Sequence, residues 1–270
     1  MVAVAQSASL RARAPGWAVV LGQELRDLWI GGRGLPLSFA FSLLLSVMAY
    51  LTATNRALNF LEQRESVNLT LQVAIAVGAL LALLAAADAF SGERERGTLE
   101  TLLVTPVSRL ELTVGKLLAA LSLWLVAYCI TVPYAWFLGR GIGVVGDALA
   151  VGFVVGTLLA VFLASLGMVF SVFATSNRIS ITVSLLVLLA LYVPTQLPSG
   201  TQKGWAGELL LRVNPLTSGE QYVGKIVVDA HSWSVDAKWL VSPLVAAVLF
   251  AGVACVYGAR FVRLRGGVSG

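Results

Sequence analysis

Residues 148–174 read ALAVGFVVGTLLAVFLASLGMVFSVFA, from Ala148 to Ala174, without one charged side chain. As an α-helix this stretch is about 40 Å long at 1.5 Å per residue. A bilayer's hydrocarbon core is roughly 30 Å thick and is crossed by about 20 apolar residues. Five further runs of this kind surround it: Leu35–Thr54, Leu69–Ala87, Thr113–Leu138, Ile179–Leu197 and Leu240–Phe261. They are continuous, unlike the alternating segments of an outer-membrane barrel. Composition agrees. Of 270 residues, 58% are apolar and 12% charged, about half the charge of a soluble domain, and the mean hydropathy is +0.86. A soluble globule has too little polar skin to cover so much apolar surface, and a disordered chain is poor in apolar residues. The expected fold class is an all-α integral membrane protein with six transmembrane helices in a single domain, 1–270.

The distribution of Lys and Arg orients the chain. With the N-terminus cytoplasmic, Arg94, Arg96, Arg109, Lys116, Arg260, Arg263 and Arg265 fall inside, close to span ends where the bias counts most. Four of the outside basic residues are instead spread along the loop Pro198–Trp239. Both termini are therefore expected in the cytoplasm. The net charge of +5 is a topology signal and calls for no nucleic-acid partner. Residues 1–15 hold too short an apolar core for a cleaved signal peptide and are expected to form a flexible cytoplasmic tail.

No Asp, Glu, Lys, Arg or His lies in the middle of a span. Ion-coupled transporters and pumps carry such groups, so energy for any transport must come from elsewhere. Asp88 and Lys116 sit at cytoplasmic span ends and are expected to snorkel to the headgroups. Two ladders of small residues occur at helical spacing: Ala74, Gly78, Ala82 and Ala86, and Gly152, Gly156, Ala160 and Ala164. Such ladders let helix backbones approach closely. They fit either packing within the chain or a subunit interface. Cys129 and Cys255 read as buried thiols of separate spans. Gly141-Ile-Gly143-Val-Val-Gly146 matches a dinucleotide fingerprint in pattern only, because no strand precedes it. The Asn68-Leu69-Thr70 sequon abuts the membrane, where a glycan would be crowded.

Two segments outside the spans are amphipathic. In 16–31, Trp17, Val20, Leu21, Leu25, Leu28 and Trp29 share one helical face, while Gln23, Arg26 and Asp27 occupy the other. This is the pattern of an interfacial helix. The loop 88–112 alternates charge at Glu93, Arg94, Glu95 and Arg96. Thr98 is placed to cap a short helix with Leu99, Leu102 and Leu103 on one face, ended by Pro106. Arg96 and Glu100 are spaced to pair at i,i+4. Ser108 and Glu111 form a capping box before the third span. By composition alone this loop fits either a docking helix or a solvated connection.

The string GERERGTLETLLVTPVSRLELTVGKLLA resembles the membrane subunits of ABC-2 type ATP-binding-cassette exporters, with the pattern E-x-x-x-G-T-L-E-x-L-L-x-x-P-V followed by G-K. Asn214-Pro-Leu-Thr-Ser-Gly-Glu-Gln-Tyr-Val-Gly-Lys-Ile226 is similar to the gliding-motility-type branch of that family. The resemblance implies a coupling helix that rests on a separate ATPase subunit and is built from Glu93, Arg96, Gly97, Thr98, Leu99, Glu100, Leu102, Leu103 and Pro106. It also implies two ATPase copies holding ATP and Mg, and a second permease chain, identical or different, in the bilayer. It leaves room for an accessory extracytoplasmic protein. No cofactor is expected on this chain.

The loop 198–239 carries two short helical patterns, Lys203–Val213 and Thr217–Val228. The second is opened by a Thr217–Glu220 capping box and has Tyr222, Val223 and Ile226 on one side. Resting on the bundle mouth, they match the extracellular gate that the resemblance implies. Gly152, Gly156 and Ala160 are the expected helix-packing residues. The rival reading is a membrane scaffold or sensor that docks a cytoplasmic protein and moves no cargo.

The sequence has no G-x-x-x-x-G-K-[ST] loop to cradle phosphates. The chain purified alone and free of contaminating ATPase should therefore not turn over ATP in a phosphate-release assay, and turnover would refute the reading.

Overall fold

The computed structural model describes residues 15–32, 34–54, 60–99, 106–141, 143–193 and 205–261. The N-terminal tail (residues 1–14), the coupling residues Glu100, Leu102 and Leu103, and the loop residues 194–204 lie outside the described residues. The described chain is helical, with no strand: α1 (Gly16–Trp29), α2 (Gly34–Thr54), α3 (Phe60–Asp88), α4 (Ser91–Arg96), α5 (Arg109–Leu138), α6 (Val145–Phe173), α7 (Asn177–Tyr192), α8 (Trp205–Val213), α9 (Pro215–Val227) and α10 (Val241–Phe261), with a 3₁₀ turn Ala237–Leu240 before the last.

Five of these helices are long and apolar enough to cross a membrane: α2, α3, α5, α6 and α10. The expected fifth span corresponds to α7, which has 16 residues. That is about 24 Å of helix, and the residues that would lengthen it lie outside those described. α7 turns Ser180 and Ser184 inward and Ile179, Leu186 and Leu189 outward, as a helix with one face on lipid does.

α6 is the hub. It packs against α3 along its length and against α5, α7, α9 and α10. In its most apolar window 61% of residues are buried, against 17% for α2 and α10 at the periphery. Both small-residue ladders lie inside the chain: Ala74, Ala82, Ala86, Ala160 and Ala164 are fully buried. Gly78 and Gly156 face a third helix. Trp124 of α5 is 1% exposed. A Cβ at Gly78 of α3 would stand 2.7 Å from its ring, and one at Gly156 of α6 closer still. The indole fills the slot these glycines leave, and its Nε1 donates to Thr157 Oγ1 at 3.1 Å. Gly152 makes room for Leu71 in the same way.

Local signals hold where the partners are near in sequence. Ser108 and Glu111 form both halves of the capping box that opens α5. The break at 31–34 separates α1 from α2, with Gly32 at φ 94°, a conformation glycine adopts without penalty. Four expectations are corrected. α9 begins at Pro215 with Asn214 as N-cap, its side chain accepting from the Leu216 N–H at 2.9 Å. Asn before a helix-starting Pro outcompetes the Thr217–Glu220 box, and Thr217 lies inside the helix. Cys129 is exposed, because its side of α5 faces out of the bundle. Leu99 is 5% exposed and part of the main core, so it lies on no free face. Lys116 does not snorkel, for reasons given below.

Gly156→Ala should force Trp124 from its slot and lower stability by about 1–3 kcal/mol. A Cβ at Gly252 of α10 would meet nothing within 4 Å, so Gly252→Ala should be neutral or stabilise by up to about 1 kcal/mol. Unfolding in detergent compares the two, and equal behaviour would contradict the slot.

Candidate coupling site and outer groove

Each charge of Glu93-Arg94-Glu95-Arg96 reaches a different helix. Glu93 accepts from Lys116 Nζ of α5 at 2.5 Å. Arg94 donates to the carbonyls of Ala174 and Val172, where α6 ends. A guanidinium there satisfies carbonyls that the helix leaves unpaired and meets the negative end of its dipole. Glu95 accepts from the Asn177 N–H at 3.0 Å, at the positive start of α7. Arg96 pairs with Asp88 at the end of α3, 3.5 Å away. Its expected partner Glu100 lies outside the described residues. An alternating sequence that reads as solvated is therefore a four-way clamp on a six-residue helix.

The ends of α4 are equally tied. Ser171 Oγ accepts from the N–H groups of Phe90 and Ser91, both at 2.9 Å, and Ser91 Oγ donates to the Ala87 carbonyl. Gly97, at φ 72°, closes the helix, and the Thr98 N–H returns to the Glu93 carbonyl at 3.0 Å. That is a glycine-closed C-terminus.

Lys116 is the centre of the cluster. Its side chain is 1% exposed and its Nζ stands 2.5 Å from both Glu93 and Glu24. The ring of Phe90 lies 5.8 Å from the same nitrogen. Two carboxylates beside it favour the buried, paired position over the headgroups. Glu93 itself is pushed above the usual carboxylate range by burial, and Lys116 opposes that shift. Glu24 belongs to α1, whose Trp29 Nε1 donates to Ser122 Oγ at 3.1 Å. Glu111 also accepts from the Gly16 N–H at 3.0 Å, so one carboxylate serves the starts of both α1 and α5. Sequence reasoning missed Glu24, Lys116 and Asp88 as partners. The available signal was Glu24 itself, a charge on the apolar face of α1, one turn from Val20 and Leu28.

At the other end of the bundle, α9 sinks among the long helices. Tyr222, Val223 and Ile226 are at most 2% exposed, and the Tyr222 hydroxyl donates to the Trp233 carbonyl at 3.0 Å. A Cβ at Gly219 would meet Val155 and Leu159, well inside α6. Asn214 Nδ2 donates to the Leu191 carbonyl at 2.6 Å, and Ser218 Oγ to that of Trp239 at 2.6 Å. Beside α9 a groove of about 410 Å³ opens between α3, α6 and α7. No cluster of three potential metal ligands occurs among the described residues.

Lys116→Met would leave Glu24 and Glu93 facing each other without their cation. Breaking a buried pair this way costs about 3–5 kcal/mol. A carboxylate whose folded pKa is raised binds its proton more readily folded than unfolded, so its cost appears as pH rises above the unfolded value and disappears below it. Without Lys116 the Glu93 pKa rises further. The deficit of Lys116→Met should therefore shrink from about pH 8 to about pH 5, read by thermal unfolding in detergent. A deficit independent of pH would contradict the pairing.

A family model described as ABC-2 family transporter protein matches residues 19–257. None of the curated proteins matches the chain. The family match runs from α1 through the four-way clamp and the sunken α9 into α10, and the chain belongs to the ABC-2 family of transporter proteins.

Proposed function

We propose that the chain is the permease subunit of an ATP-driven exporter, with six spans and both termini in the cytoplasm of a bacterial or archaeal inner membrane. Two permease chains, identical or different, form the substrate path, and two ATPase subunits bind ATP and Mg. The observation that carries this reading is the clamp. A segment that docks on a motor is useful only if it moves the bundle, and α4 is bonded to α3, α5, α6 and α7, with α1 joined to it through Lys116 of α5. Closure of the ATPase pair displaces the segment after Gly97, and α4 passes the displacement as a rigid body to the four helices bonded to it and, through Lys116, to α1. Tyr222, Val223 and Ile226 hold α9 in the outer half, where it gates the exit. The scaffold alternative asks for docking with no path through the bundle, and the groove beside α9 favours transport over it.

Leu102 and Leu103 supply the docking face, while Leu99 is spent on the chain's own core. Burying a leucine contributes roughly 1.5–3 kcal/mol, so losing two weakens docking about a hundredfold or more. The double substitution Leu102→Ser and Leu103→Ser should insert normally and lose the ATPase subunit in a pull-down, whereas Leu99→Ser should destabilise the permease itself. Wild-type recovery of the ATPase with the double variant would place the docking surface elsewhere.

A further inference from the structure

The groove beside α9 has an unusual lining. All of its lining residues but two are Ile, Val, Leu or Ala, and the exceptions are Tyr192 at one end and Glu220 of α9. Leu216 stands one turn before Glu220 on the same face of α9. α3 contributes Ile75, Ala79 and Leu80, and α6 contributes Leu159 and Leu163. The charged side chains of the neighbouring elements are engaged elsewhere. Arg64 of α3 donates to the Val228 carbonyl at 3.3 Å, Arg212 of α8 lies over the Trp239 ring, and Asp236 pairs with His231. Among the described residues none forms an ion pair or hydrogen bond with the Glu220 carboxyl. Burial alone pushes its pKa up to about 7.

A partly exposed carboxylate at the wall of an apolar groove is costly unless something pairs with it. Everything else on the wall can only offer apolar contact. We propose that this groove binds hydrophobic cations, with the apolar body against α3, α6 and α7 and the positive group at Glu220. The inference rests on the permease reading and names its class of substrate. Amphiphilic anions are disfavoured by the same carboxylate. A neutral hydrophobe gains the walls but not the charge. A cation draws Glu220 into its ionised form, so binding and deprotonation are linked. Tyr192 is the one other ionisable group of the lining.

The test uses tetraphenylphosphonium, a hydrophobic cation that does not itself titrate, on the intact permease–ATPase complex in phosphatidylcholine nanodiscs. The complex should bind it saturably at about pH 8. Affinity should fall as pH drops below about 7, toward tenfold per unit. Glu220→Gln, which keeps the shape of the side chain, should bind at least about tenfold more weakly and lose the pH dependence, while Glu220→Asp should keep part of both. Tetraphenylborate, of the same shape and opposite charge, should not compete. Equal binding by wild type and Glu220→Gln, or competition by tetraphenylborate, would overturn the proposal. So would a complex that assembles with its ATPase and shows no saturable binding. Failure of the ATPase to co-purify with the wild-type chain would instead strike the permease reading, and the two failures are distinguishable. An elution profile of Glu220→Gln matching wild type ensures that lost binding reports the charge and not misfolding.

Discussion

The Lys116 ammonium stands 2.5 Å from two carboxylates on two other helices, with almost none of its side chain exposed. The rest of this end of the bundle is arranged around that point. α5 supplies the cation, α1 and α4 supply the anions, and all three helices must hold their positions for the charges to stay paired. In a site of low effective dielectric the attraction is several times its value in water. The penalty for separating the partners grows by the same physics. Moving α4 without α1 would strand a buried charge, so α1 and α4 are bound to move together.

Cohesion elsewhere has a different origin. In the middle of the bundle there is no water to drive apolar groups together, and helices associate by close packing. Gly78 and Gly156 open a slot, Trp124 fills it, and a 3.1 Å bond from the indole to Thr157 fixes its orientation. α3, α5 and α6 are thereby locked at mid-depth. The clamp grips the same three helices near one end of the bundle. A helix set fixed at one level and pulled at another rotates about the fixed level, and under the proposed function that rotation opens the far end beside α9.

Much of the fold was legible because its causes are one-dimensional. Five long helices follow from runs of apolar residues, and the Ser108–Glu111 cap follows from residues three apart. The small-residue ladders were also visible, but their partner was not: nothing in the spacing of Gly78 and Gly156 points to an indole on a third helix. The clamp was less legible still. Glu24 and Lys116 are 92 residues apart and Arg94 meets the end of α6 some 80 residues on. A run of alternating charge carries no mark of whether each side chain meets water or a helix end. Asn214 against Thr217 shows a different limit, two competent caps three residues apart, decided by the proline that follows the first.

The triad has one cation for two anions, and this imbalance bears on its role. A buried ion pair adds little net stability, because desolvation offsets the attraction, and apolar residues of similar volume often serve as well. Glu93 Oε2 is buried without a hydrogen bond, a further cost. Stability therefore does not account for placing three charges here. Direction does: apolar side chains slide past one another with little change in energy, whereas an ammonium held by two carboxylates resists displacement in every direction. For the coupling role proposed above, which has α4 pass motion to the helices bonded to it, resistance to slip is the property required, and the charges supply it where leucines would not.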